Sequence, residues 1–310
     1  MATSASASQT HGLPFALRTR LICRDSDGDS VHAGSLPSAP IQVTAILPPQ
    51  FSVATAAPLL AADEPPAVAT IRRDGSSPFL LTCDHASLRI PRSLETLGLT
   101  PEQACSHIAW DIGALQVASL LAEALDATLL VQNYSRLVID CNRPPEAADS
   151  IASSSDSIRI AGNENLDAAA RSARLAEIFI PYHQELTALL EHRRLENRRT
   201  LLVAMHSFTP TYAGVARPWH IGLMYRHDAR LGTALLPLLR AEAGLCVGDN
   251  QPYAIDEGID YTLPLHGEAG GIPHIGIEIR QDLIADGAGQ ETWAARLAGL
   301  FPRTLATISP

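Results

Sequence analysis

Three apolar runs in this chain end in groups that can do chemistry. Phe79-Leu-Leu-Thr-Cys83 stops in Asp84, His85 and Ser87; Thr200-Leu-Leu-Val-Ala-Met205 stops in His206 and Ser207; and Ile275-Gly-Ile-Glu278-Ile-Arg280 carries an acid and a base. Imidazole nitrogens with a carboxylate are the ligand set of a catalytic zinc ion, which keeps one position open for water. His85, Asp111 and His206 supply such a set, and Glu278 is the matching general base. A plainer reading competes with this one. The chain has 11 histidines, some of which follow strands by chance, and no H-E-x-x-H pattern fixes the ligands locally. His107, one helical turn before Asp111 and facing the same way, is the rival third ligand. Ser87 and Ser207 stand in no G-x-S-x-G elbow, so serine hydrolysis is disfavoured.

Such groups have to be delivered by ordered elements. The apolar runs read as buried strands, and Pro91 and Pro210 stop them from continuing. In an open α/β sheet ligands bind beyond the carboxyl ends of the strands, which is where His85 and His206 stand. The capping-box pattern Thr100-Pro-Glu-Gln103 predicts a first helix near His107, and the spacing of Leu115, Ala118, Leu121 and Leu125 predicts another. Thr128 to Val131 and Ile221 to Tyr225 read as strands. Residues 166 to 197 read as a helix kinked at Pro181, 229 to 242 as a helix ending at Gly244, and Trp293 to Leu305 as a closing amphipathic helix. Residues 145 to 165 read as a long surface loop. Alternating strands and helices predict an α/β protein, a three-layer α/β/α sandwich with a mixed, mostly parallel sheet. Residues 1–66, rich in Ala, Ser, Pro and Thr, read as a flexible or loosely attached extension with a possible short strand at 41 to 47. Residues 67–310 read as a single catalytic domain.

Composition narrows the partners. A formal net charge of −10 and no cluster of Lys and Arg argue against nucleic acid or an anionic membrane and favour a small-molecule substrate. Five scattered cysteines give neither a disulfide framework nor a thiolate zinc site and fit buried thiols in a reducing compartment. With no apolar run long enough to span a bilayer and no secretory pattern at Met1, the expected location is cytoplasmic.

In order along the chain, Cys83-Asp-His85-Ala-Ser87 with Ile90-Pro91, Trp110-Asp111-Ile-Gly113-Ala114, Ser135-Arg136-Leu-Val-Ile-Asp140-Cys-Asn142-Arg143-Pro144, Pro181-Tyr-His183, His206-Ser207-Phe-Thr-Pro210, His266-Gly267 and Glu278-Ile-Arg280 together resemble the N-formylglutamate amidohydrolase family over about residues 78 to 286. The order His, acid, His, distant Glu is also similar to zinc N-acetylmuramoyl amidases. The resemblance implies a zinc-peptidase-like α/β/α fold and metal-assisted hydrolysis of the amide of an N-acylated acidic amino acid, with formate and glutamate as products and a place in histidine degradation. It implies one Zn2+ held by His85, Asp111 and His206, and Glu278 as base. Arg280 or Arg136 would face the oxyanion, and His266 would polarise the carbonyl or else merely end a strand. Arg136, Arg143, Asn142 and Ser87 would bind substrate, the two arginines as carboxylate receptors. Structural roles compete for some of them: Asp140 as an ion-pair partner of Arg136 and Arg143, Asn142 as a turn former, His183 as a bonded core group. Leu88 stands where Asn is expected, which bears on the substrate more than on the reaction class. The alternatives are a zinc hydrolase of another N-acyl amino acid or peptide amide, and a non-catalytic binding module on the same fold.

Overall fold

The computed structural model describes residues 58–256 and 258–308. The possible strand at 41 to 47, and most of the expected extension, lie outside the described residues. The described end of that stretch is tied down: the Leu59 and Leu60 amides donate to the Glu177 carboxylate at 2.7 and 2.9 Å, and the Pro65 carbonyl accepts from the Tyr134 hydroxyl at 2.8 Å.

In chain order the strands are β1 (Val68–Ile71), β2 (Phe79–Cys83), β3 (Thr128–Gln132), β4 (Ser154–Ser155), β5 (Ile158–Arg159), β6 (Leu201–Phe208), β7 (Thr211–Tyr212), β8 (Val215–Ala216), β9 (Ile221–Met224), β10 (Val247–Asp249) and β11 (His274–Arg280). The α-helices are α1 (Pro101–Ala104), α2 (Ala114–Leu125), α3 (Ala168–Arg174), α4 (Ile180–Leu195), α5 (Arg230–Arg240) and α6 (Gly287–Thr307). Seven strands form one sheet in the order β1-β3-β2-β6-β11-β9-β10. The neighbours β3, β2, β6 and β11 are parallel, whereas β1 and the β9–β10 pair run against them. The sheet is therefore mixed and mostly parallel. β4 with β5 and β7 with β8 make two small ribbons.

Pleating sends alternate residues of the buried strands to opposite faces. Leu81, Leu129, Val203, Leu223 and Ile277 pack under α2, α5 and α6, through Val117, Leu121, Leu235, Leu239, Leu297 and Phe301. Leu80, Leu130, Leu202 and Ala204 pack on the other face against α4, through Tyr182, Leu186, Leu189 and Leu190. This is the three-layer α/β/α arrangement expected from the sequence.

Two helical expectations change in detail. The capping box forms, with Thr100 and Gln103 exchanging side-chain and backbone bonds, but the helix it starts stops after Ala104. It does not reach His107, because it carries no buried face that would hold a longer helix. The helix expected over 166 to 197 is divided into α3 and α4 by a π-helical turn at Leu175–Phe179, which ends just ahead of Ile180 and Pro181. The wider turn relieves the clash that a proline ring makes with the carbonyl one turn earlier. The loop at 145 to 165 folds into the β4–β5 ribbon and a short 3-10 turn at Ala161–Asn163.

Candidate functional site

The sheet brings the residues at its carboxyl ends together. In the parallel register of β6 and β11, His206 lies beside Glu278. β2 stops at Cys83, and the Asp111 amide donates to the His85 carbonyl at 2.9 Å, which anchors the segment before α2 to the end of β2. Asp111 is held from a second side by Ser207, whose hydroxyl donates to the Ile112 carbonyl at 2.9 Å. Gly113 turns the chain into α2 at φ 80°, and a Cβ there would sit 2.2 Å from the Ile284 carbonyl oxygen. Only glycine allows that turn.

His85, Asp111 and His206 are all buried and offer ligand atoms that lie within 4.8 Å of one another. Asp111 Oδ2 is 2.9 Å from His206 Nδ1 and 3.5 Å from His85 Nδ1. The far nitrogen of His85, Nε2, donates to Asp140 Oδ1 at 2.7 Å, and Arg136 donates to the other oxygen of Asp140 at 2.6 Å. With His85 neutral, as a metal ligand must be, that bond fixes the tautomer: Nδ1 carries the lone pair and faces the cluster. It is buried without a hydrogen-bond partner, and so is Oε2 of Glu278. A buried acceptor left unpaired is costly, and a cation among these atoms removes the cost. The donor set therefore fits a divalent metal, with Asp140 orienting one imidazole ligand from behind.

Charge follows the same plan. Burial disfavours charge on Asp111 and Asp140, but the neighbouring imidazoles and, for Asp140, the Arg136 guanidinium hold both carboxyls well below the usual range. Burial likewise opposes charging His206, yet its bond to Asp111 raises it to about 10. Glu278 has no bonded partner for its inner oxygen, and burial pushes it up to about 7, the range in which a carboxylate serves as a proton acceptor near neutral pH.

The remaining expected site residues are placed as follows. Arg136 lies at the cluster, between Asp140 and Asp111, with Nη1 3.7 Å from Asp111 Oδ1. Asn142 is buried at the edge of a small cavity that it shares with His206, Asp260 and Gly276; its side chain accepts from the Tyr261 and Thr262 amides at 3.1 and 3.0 Å and donates to Asp260 at 3.0 Å. Arg143 donates to Asp149 at 3.3 Å and to the carbonyls of Asn142 and Ile259. Ser87 accepts from the Arg89 amide at 3.1 Å. Arg280 is engaged by Asp282 at 2.8 Å and by the Arg217 and Pro218 carbonyls. His266 is fully buried against His183 at 3.0 Å, and its hydrogen bond goes there rather than to the cluster. His107 faces Asp156 at 3.4 Å and is half-buried, whereas Asp111 stands in the cluster.

Sequence reasoning missed several supports. Asp84 accepts from the Tyr182 and Thr262 hydroxyls, the latter at 2.8 Å, and so ties β2 to α4 and to the segment after β10. Ser135 ties its segment to Ala109 and Arg89 at 2.7 Å each. Their positions inside the quoted motifs were the available signal.

The model of the N-formylglutamate amidohydrolase family matches residues 77–285. Among solved structures, a gene product of Agrobacterium tumefaciens is 40% identical, covering 80% of this chain and 98% of its own, with a TM-score of 0.78. The N-formylglutamate amidohydrolase of Ralstonia eutropha JMP134 is 18% identical over 78% of this chain and 98% of its own, with a TM-score of 0.61, a likeness of fold. A comparison with curated proteins finds no match. The family model spans well over half of the chain, and it includes His85, Asp111, His206 and Glu278: the chain belongs to the N-formylglutamate amidohydrolase family.

Proposed function

We propose that this chain is a zinc-dependent amidohydrolase that cleaves the formamide of N-formyl-L-glutamate, or the amide of a similarly N-acylated acidic amino acid, to the carboxylic acid and the free amino acid. The observation that carries the reading is the buried group His85, Asp111 and His206 with Glu278 in register beside it. His85, Asp111 and His206 would hold the ion, and what zinc supplies when bound is a positive charge that polarises an amide carbonyl and acidifies water.

The chain's own residues account for the rest. Glu278, ionised above about pH 7, takes the proton from the attacking water and returns it to the departing nitrogen as the C–N bond breaks. Asp140 keeps His85 in the tautomer whose Nδ1 faces the cluster. Arg136 stands at the cluster, with Nη1 3.7 Å from Asp111 Oδ1, whereas Arg280 is turned to Asp282 and to the Arg217 and Pro218 carbonyls; Arg136 is therefore the arginine to face the developing oxyanion, a donor typically worth about 3 kcal/mol. The substrate is a small molecule, and among the described residues no helix is long and apolar enough to cross a membrane. We place the protein in the cytoplasm, and residues 67–310 as one catalytic domain.

The test is formate release from N-formyl-L-glutamate by the purified chain, before and after metal is stripped by a chelator and zinc restored. Zinc-dependent release that disappears in Glu278→Gln supports the reading. Zinc binding without formate release moves the substrate to a larger N-acyl group, and absence of zinc binding sinks the metal assignment.

A further inference from the structure

Four arginines bear on the candidate site, and three of them are paired with carboxylates. Arg136 is paired with Asp140, Arg143 with Asp149, and Arg280 with Asp282. Arg217 is not. It follows the β7–β8 ribbon, whose base is closed by the Arg217 amide donating to the Pro210 carbonyl at 2.8 Å. Its residue is only 9% exposed, yet among the described residues no carboxylate pairs with it. Its guanidinium instead sits against three aromatic faces, with Cζ 4.7 Å from the Tyr212 ring centroid, 5.0 Å from Tyr253 and 5.8 Å from Phe208. Its polar contacts are weak ones to hydroxyls, Thr209 at 3.5 Å and the phenol of Tyr253.

An aromatic cradle stabilises the positive charge through the ring faces and itself uses none of the in-plane N–H donors, so those not engaged by Thr209 and Tyr253 stay available to a carboxylate. The location suits such a ligand. Phe208 is two residues beyond His206 on the same face of β6 and pairs with Arg280 as His206 pairs with Glu278. Phe208, against which Arg217 sits, therefore lies about 7 Å farther along the strand than the candidate ligand His206, roughly the span from the amide of an acylated amino acid to the end of a glutamate side chain. Tyr253, in its contact with Arg217, also feels the charges of Glu278 and Asp111, so the cradle lies within electrostatic reach of the candidate site.

We propose that Arg217, clamped between Tyr212, Tyr253 and Phe208, is the receptor for a carboxylate of the substrate and so selects acidic N-acyl amino acids. The inference rests on the amidohydrolase reading for its substrate class, so binding and turnover are measured separately. The zinc-loaded full chain is titrated calorimetrically with L-glutamate, L-glutamine and L-isoglutamine, and formate release is followed with N-formyl-L-glutamate and its two mono-amides. The expected result is that Arg217→Met weakens L-glutamate binding at least tenfold and raises KM more than it lowers kcat, while Arg217→Lys recovers part of the loss. In the unaltered chain, whichever mono-amide removes the carboxylate that Arg217 holds loses a similar factor, and that ligand is indifferent to Arg217→Met. Should Arg217→Met fail to fold, the lysine variant and the amide series on the unaltered chain still decide. Arg217-dependent glutamate binding without formate release would sink the formyl reading and leave the receptor standing. Equal glutamate affinity in the unaltered chain and Arg217→Met, or no glutamate binding by the unaltered chain, would overturn the receptor.

Discussion

Two pairs of histidines lie buried in this molecule, and they differ in what surrounds them rather than in how deep they sit. His85 and His206 have ring centroids 5.2 Å apart; His183 and His266 have theirs 5.3 Å apart. The first pair is flanked by Asp111 and Asp140, and its imidazoles are held toward the charged form. In the second, His183 packs against Phe179, Tyr182 and Tyr261, and burial keeps both imidazoles neutral, His183 down at about 4. In the first pair Asp140 grips Nε2 of His85 and leaves its Nδ1 to the cluster, where Asp111 also bonds His206; in the second the hydrogen bonds run from ring to ring and on to the Cys141 carbonyl. An imidazole becomes a ligand through the group that holds its second nitrogen, and depth of burial does not decide it.

That contrast breaks most visibly on metal content. Replacing His206 by Ala removes one of the three proposed ligands and is expected to abolish stoichiometric zinc and all activity, whereas His183→Phe should keep zinc at about one equivalent per chain. Elemental analysis after dialysis reads both, and zinc loss from the His183 variant would erase the distinction. Next in size, Glu278→Gln keeps the shape and the zinc but loses the proton acceptor. It should lower kcat by a factor of about 10³ or more, roughly 4 kcal/mol of barrier, measured as formate release with zinc content checked in the same sample. A smaller effect is expected at Asp140, which touches the candidate ligand His85 from behind. Asp140→Asn should weaken zinc about 10- to 100-fold, seen in competition with a chelator of known affinity; unchanged affinity would mean that Arg136 is the real business of Asp140.

Much of the fold could be read from the chain because its signals are local. Phe79–Cys83 and Leu201–Met205 are near-continuous apolar runs, as strands covered on both faces must be, and His274–Arg280 sets Ile275, Ile277 and Ile279 in alternation. The candidate site was legible where a motif sits at the end of such a run, hence His85, His206 and Glu278. The parts that were not legible depend on partners distant in sequence. Nothing around Arg217 says that Tyr253 will close over it, because the segment after β10 reaches back across the sheet through Asn142 and Asp84. Nor does His266 announce that its partner is His183, which α4 brings to it. Arg143 and Arg280 look available in sequence because their acids, Asp149 and Asp282, read as ordinary loop residues.

The finest test of the contrast is stability against pH in the metal-free chain, where the two pairs act with opposite sign. His206 is raised to about 10 in the folded state, so the stability it contributes is fully present below its unfolded value near 6.5 and is lost as pH climbs from there toward 10. His183 is depressed to about 4. The folded chain then binds fewer protons than the unfolded chain between about 4 and 6.5, and stability drains away as pH falls through that window. The structure shows why the proton is refused. His183 Nε2–H donates to the Cys141 carbonyl at 2.9 Å, Nδ1 accepts from His266 Nε2–H at 3.0 Å, and the one lone pair left, His266 Nδ1, is buried without a partner. Going from pH 7.5 to 5 should cost about 2 kcal/mol through His183 alone. Denaturant unfolding at the two pH values measures the loss, and His266→Leu, though weaker at neutral pH because it strips His183 of its donor, should lose less on acidification. If the variant and the unaltered chain lose stability equally, the buried pair is not the acid-labile element, and the aromatic enclosure does not separate it from His85 and His206 in the way described.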